Sequence, residues 1–118
     1  MSRTQNLAES GLYSRIVTGV REGSITSAEV AEITGVRERQ VQNWVSGTHR
    51  PTGGTRDRLL ELHYIVEELR DIYTPEGIDI WIHGRNRSLG GKRPIDLLRE
   101  GAFEEVLNAV EQLATGSM

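Results

Sequence analysis

Apolar residues recur along this chain at spacings of three and four, the repeat of one face of an α-helix. Leu12, Ile16, Val17 and Val20 predict a short amphipathic helix that follows a disordered start and ends near Gly23. Thr26 followed by Glu29 is a capping-box pattern and opens a second helix with Val30, Ala31 and Ile33 inward. Gly35 breaks that helix before a third, whose buried side is Val41, Trp44 and Val45. The segment GTHRPTGG, with Pro51 and paired glycines, cannot continue a helix and reads as a linker between two lobes. From Thr55 to about Tyr73, the residues Leu59, Leu62, Val66, Leu69 and Ile72 repeat at helical spacing. Leu60, Ile65 and Tyr73 widen that stripe beyond what one partner helix needs, so this helix is the expected central strut. Thr74 and Pro75 then cap a short helix through Ile78 to Ile82, although IDIWI also alternates as a strand would. HGRNRSLGGKR is expected to be a glycine-rich basic loop, and Arg93-Pro94 to start a helix of one or two turns that Gly101 ends. Phe103, Val106, Leu107, Val110 and Leu113 line a last amphipathic helix before the tail TGSM. The predicted fold class is all-α, with an N-terminal lobe over 1–52 and a C-terminal helical domain over 53–118 whose core motif is 81–101.

Composition narrows the chemistry. At 118 residues the chain suits one core, or two small helical units that share one, and is too short for two independent enzymatic domains. Only 36% of residues are apolar, no run of them is long enough to cross a bilayer, and MSRTQNLAES lacks the apolar core of a signal peptide. A cytoplasmic protein without a membrane partner is expected. Cysteine is absent, and His49, His63 and His83 are too scattered to make a zinc site, so neither metal nor cofactor is implied. No nucleophile and base converge either. His63 lies beside the apolar stripe, His83 at the mouth of the basic loop and His49 in the linker, which is not the clustering that catalysis needs. The expectation is a protein that is not an enzyme.

The net charge of −3 argues against a general nucleic-acid coat, but the average conceals an asymmetry. Arg37 to Arg58 holds five arginines against Glu38 and Asp57, and Gly84 to Arg99 holds Arg85, Arg87, Lys92, Arg93 and Arg99 against Asp96 alone. The first basic stretch overlaps a helix-turn-helix pattern. Counted from Ser27, Ala31 falls fifth, Gly35 ninth, Val36 tenth, Val41 fifteenth and Trp44 eighteenth. These supply the small residue at the close approach, the left-handed glycine and the apolar face that the motif requires. A plain three-helix bundle could place the same residues. Arg37, Glu38, Arg39, Gln42 and Asn43, however, lie away from Val41 and Trp44 and suit base edges in a major groove. Arg50, Arg56 and Arg58 follow, either as phosphate contacts that set register or as ordinary surface charges.

The second basic stretch sits inside WIHGRNRSLGGKRPIDLL. Trp81, Asn86, Leu89, Gly90, Pro94, Asp96, Leu97, Leu98 and Gly101 stand here in the order and spacing of a known hallmark, and the chain resembles the Xre/MbcA/ParS antitoxins from about Leu12 to its end. One departure is Arg85, where the family commonly has a proline before the Asn. The resemblance implies an Xre-like helix-turn-helix lobe on operator DNA, followed by a lobe that neutralises a RES-domain toxin, an enzyme that consumes NAD or transfers its ADP-ribose. A toxin pocket built for a pyrophosphate is itself cationic, so Arg85, Arg87, Lys92 and Arg93 are expected to pair with acidic groups on its rim. GGKRP lacks the Gly-Lys-Ser/Thr order of a phosphate loop. Trp81 is expected in the core. Asn86, Leu89, Leu97 and Leu98 complete the expected toxin contacts, since Ile95, Leu97 and Leu98 are too many apolar residues for so short a helix to bury on one side. A homodimer is expected from the symmetry of helix-turn-helix half-sites. The rival reading is a stand-alone transcription regulator whose second lobe serves dimerisation or ligand sensing.

Overall fold

The computed structural model describes the backbone of residues 3–116 and the side chains of residues 11–116. Within them the chain is all-α: α1 (Arg3–Glu22), α2 (Ser27–Thr34), α3 (Glu38–Ser46), α4 (Gly53–Arg70), α5 (Pro75–His83), α6 (Pro94–Arg99) and α7 (Phe103–Thr115). A 3-10 turn at Arg87–Leu89 interrupts the loop between α5 and α6.

Local chemistry explains most of the boundaries. Thr26 and Glu29 exchange both hydrogen bonds of a capping box, at 2.9 and 3.1 Å, and so satisfy two of the amides that α2 leaves free. Thr74 accepts from the Gly77 amide, with Pro75 at the first helical position, which makes IDIWI helical. Tertiary burial sides with that cap: Ile78 and Ile82, four residues apart, both face the core, which a strand's two-residue alternation would also permit, but Ile80 between them is 74% exposed.

Three expectations are corrected. The disordered start does not hold from Arg3 onward, because α1 is one twenty-residue helix; only Met1 and Ser2 lie outside the described residues there, as Ser117 and Met118 of the tail TGSM do at the other end. Gly53 and Gly54, read as linker, form the first turn of α4, a position where the amides have no intrahelical partner and a weak helix former costs least. At its other end α4 stops at Arg70 rather than Tyr73, and Ile72 and Tyr73 reach the core from the following turn.

One hydrophobic core runs through both halves of the chain. Val17, Val20, Ile33, Val41 and Trp44 belong to the same cluster as Leu59, Leu69, Ile82, Leu98 and Val110. The wide stripe on α4 has a purpose, since α4 packs on α1 and α2 with one side and on α5 and α7 with another. Each large aliphatic side chain removed from water there contributes about 1.5–3 kcal/mol. Polar contacts tie the same helices: Ser14 Oγ donates to the Val45 carbonyl at 2.8 Å, Ser24 Oγ to the Pro75 carbonyl at 2.9 Å, and Arg70 to the Gly19 carbonyl.

Candidate functional site

Two surfaces carry the residues singled out in the sequence, and a partly solvated seam of ion pairs joins α2 to α5 and α6.

The first surface is the outer side of α3. A three-residue turn joins α2 to α3, and Gly35 enters it with φ +81°, the left-handed conformation that a side chain disfavours. Val41 and Trp44 are fully buried, which rotates α3 so that Arg37, Glu38, Arg39 and Gln42 are exposed. Asn43 is less free than expected: it is half-buried, and its amide donates to Gln40 Oε1 at 3.4 Å. Its carbonyl accepts from Ser46, Thr48 and His49, so Asn43 also shapes the turn after α3. Arg50 follows that helix in the chain and Arg56 lies in the first turns of α4, and both are exposed, as a phosphate contact would need. Arg58 has another occupation. Its guanidinium donates to the Ile33 carbonyl at 3.1 Å and so closes the C-terminal end of α2.

The second surface is the loop between α5 and α6. Asn86 organises it: Oδ1 accepts from the Ser88 amide at 2.9 Å and the Ser88 hydroxyl at 2.6 Å, while its backbone pairs with Lys92 and receives the Leu89 and Gly91 amides. Arg85 donates across the loop to the Gly91 carbonyl at 3.3 Å. The result is a fixed bulge that exposes Arg85, Arg87 and Lys92, which meet no carboxylate among the described residues, beside a cleft of about 520 Å³. Leu89 is half-buried against the core, and Trp81, also half-buried there, lines a second cleft with Arg87 and Leu113.

The remaining expected contacts turn inward. Leu97 and Leu98 are 1% and 0% exposed, and Ile95 is 0%. The expectation that part of this apolar surface meets a partner is therefore corrected: α6 is sandwiched among α2, α5 and α7, so a six-residue helix buries apolar residues on more than one side. Arg93 is half-exposed but engaged, since its Nε donates to Asp96 at 2.8 Å. Hydrogen bonding to Arg93 is the largest effect holding the Asp96 carboxyl below its ordinary range.

Between the surfaces, α6 and α5 grip α2. Arg99 Nε reaches Glu32 at 2.8 Å while Asp96 holds the same guanidinium at 2.9 Å. His83 Nε2 meets Glu29 at 2.8 Å and Nδ1 meets Asp79 at 2.8 Å. Burial by itself lowers the His83 pKa, but the hydrogen bond and charge of Glu29, with Asp79, outweigh it and raise the value above 6.5. For Glu29, burial pushes upward and is outweighed by the Thr26 amide and His83, so its carboxyl is held below its ordinary value. Gly101 adds a steric element. It has φ +84°, and a Cβ there would lie 2.8 Å from the Arg58 guanidinium that caps α2. His83 is thus a joint between helices, His49 is exposed, and the Nδ1 of half-buried His63 has no hydrogen-bond partner. The motif's role in holding α2 was missed in the sequence; the only available signal was the pairing of acids on α2 with bases more than fifty residues away.

Residues 68–116 match the family described as the antitoxin Xre/MbcA/ParS C-terminal toxin-binding domain. The chain is 38% identical, over 88% of its length and 89% of the relative's, to the probable mycobacterial cidal antitoxin Rv3188 of Mycobacterium tuberculosis. It is 29% identical, over 89% of its length and 93% of the relative's, to the mycobacterial cidal antitoxin MbcA of Mycobacterium bovis. In three dimensions it superposes with a TM-score of 0.79 and 28% identity on a chain of the crystal structure of the M. tuberculosis MbcT-MbcA toxin-antitoxin complex, covering 91% of this chain and 96% of that one.

Proposed function

This chain belongs to the Xre/MbcA/ParS family of antitoxins, and from that premise we propose that it binds and neutralises a RES-domain toxin that consumes NAD or transfers ADP-ribose. The observation that carries the proposal is the likeness, over nine-tenths of the chain, to a protein crystallised in a toxin-antitoxin complex. The loop cations give it a physical form. Arg85, Arg87 and Lys92 stand on a bulge whose backbone is held by hydrogen bonds, and they form no ion pair among the described residues, so the loop itself needs little further ordering on binding. They pair with carboxylates on the toxin's rim, while Arg93, Asn86 and Leu89 keep the loop in shape, and Leu97 and Leu98 support it from the core.

In the same reading, α3 enters the major groove of operator DNA and represses the operon, as a type II antitoxin in the cytoplasm. Arg37, Glu38, Arg39 and Gln42 read base edges, and Asn43 reaches an adenine only by giving up Gln40. Arg50 and Arg56 contact phosphate, and the protein binds two half-sites as a homodimer. Co-expression tests the central claim. Cells carrying the toxin encoded beside this gene should survive and keep their NAD when the full chain is present, and lose both when Arg85, Arg87 and Lys92 are all replaced by Glu. Survival with that variant equal to wild type would sink the loop as the toxin contact.

A further inference from the structure

An apolar groove of about 430 Å³ lies between α4 and α7, on the side of α7 away from the basic loop. Leu60, Tyr64, Phe103 and Leu107 form its floor and walls, and Glu61 and Glu104 stand on its rim. Leu60 is 38% and Tyr64 50% exposed. One exposed leucine is ordinary on a soluble protein, but exposed Leu60 and Tyr64 beside half-buried Leu107, over a floor of buried Phe103, mark a surface that something covers. The core does not need Leu60 or Tyr64: Leu59, Leu62, Ile65 and Leu69 already fill the inner face of α4.

We propose that this groove receives a cationic, amphipathic segment of the toxin, an inference that rests on the function proposed above. Charge selects the occupant. The lining holds two carboxylates and no cation, so DNA phosphate is repelled. A second copy of this chain is a poor fit as well, because a twofold contact centred on the groove sets Glu61 and Glu104 against their own duplicates in a chain of net charge −3. A segment with an apolar stripe flanked by Lys or Arg satisfies both floor and rim.

Position favours the toxin as its source. The α7 wall of the groove lies in the region matched to the toxin-binding domain, and the α4 wall directly precedes it. Phe103 and Leu107 line the groove on one flank of this helix, and Gln112 and Leu113 line the cleft beside Trp81 and Arg87 on the other. An exposed ridge that carries Glu105, Asn108 and Glu111 separates them. A partner laid along that ridge touches the acidic groove and the basic loop together, and its matching face carries both signs of charge.

The test uses the full chain and the purified toxin encoded beside it, with capture measured at low and high salt. Wild type should bind. Glu61→Lys with Glu104→Lys, and separately Leu60→Ser with Tyr64→Ser, should each weaken capture on the order of tenfold. The charge-reversed variant should also lose part of the salt dependence. All four side chains reach solvent, so unchanged helical content and melting are expected and are checked first. Unchanged capture by both folded variants overturns the groove. So does conversion of a dimer to a monomer by these variants with capture intact, which makes the groove a self-association face. Failure of wild type to bind overturns the proposed function itself, and is read before any variant.

Discussion

The two halves of the family motif use the same kinds of residue for opposite purposes. From Arg85 to Arg93 the chain keeps its cations outside, and only Arg93 is matched by an acid. From Pro94 to Gly101 it buries Ile95, Leu97 and Leu98 and commits Asp96 and Arg99 to a chain of ion pairs that ends on Glu32 of α2. Gly101 completes that half by leaving room for Arg58. The outer half is an exposed cationic surface, whereas the inner half is a seat for the helix that precedes α3. A motif named for toxin binding therefore also sets where α3 stands.

Leu98→Ala should break the inner half with the largest effect. A fully buried leucine truncated in a packed core costs about 2–5 kcal/mol, so the thermal midpoint should fall by many degrees. Truncating Arg87 should leave that midpoint almost unchanged, and equal losses from the two would erase the distinction between the halves.

Gly101→Ala comes next. The left-handed backbone disfavours any side chain by about 1–3 kcal/mol, and the new methyl pushes the Arg58 guanidinium from the end of α2. A double-mutant cycle with Arg58→Ala separates the two: the combined loss should be smaller than the sum, because the displaced contact is counted in each single variant. Strict additivity would mean that Gly101 and Arg58 are not partners.

In the outer half, Arg85→Glu with Lys92→Glu should change stability by no more than about 0.5 kcal/mol. The same pair should reduce toxin capture on the order of tenfold, mainly in its low-salt component. A matching loss of melting temperature would show that the loop, too, is structural.

The smallest expected effect is a pH dependence at the seam. Because the folded-state pKa of His83 is raised, its pairing with Glu29 and Asp79 contributes fully below 6.5 and is lost as pH rises through the raised value. Glu29, held low, contributes the opposite limb: its share is present above its ordinary value of 4.5 and disappears as pH falls through the depressed one. The pair is partly solvated, so the effect is below about 1 kcal/mol. Urea titrations of wild type and His83→Gln across the range should differ in slope above 6.5, and parallel curves would remove His83 from the joint.

Much of this was legible in the linear chain because it depends on neighbours in sequence. The capping box at Thr26, the Thr74-Pro75 start, the Gly35 turn and the stripe on α7 are local chemistry, and each appears in the structure where the residues predict it. The all-α class and the family hallmark were available for the same reason: helical spacing and motif spacing both survive in one dimension. What only the tertiary structure decided is which side of a residue faces the rest of the molecule. Leu97 and Leu98 have the composition of a contact patch and are core, because α6 lies among three other helices and water is excluded from every side of it that carries an aliphatic group. His83 and Arg99 gain their purpose from α2, which folding brings within hydrogen-bond reach across more than fifty residues of chain, while Asp96 and Gly101 act through Arg99 and Arg58.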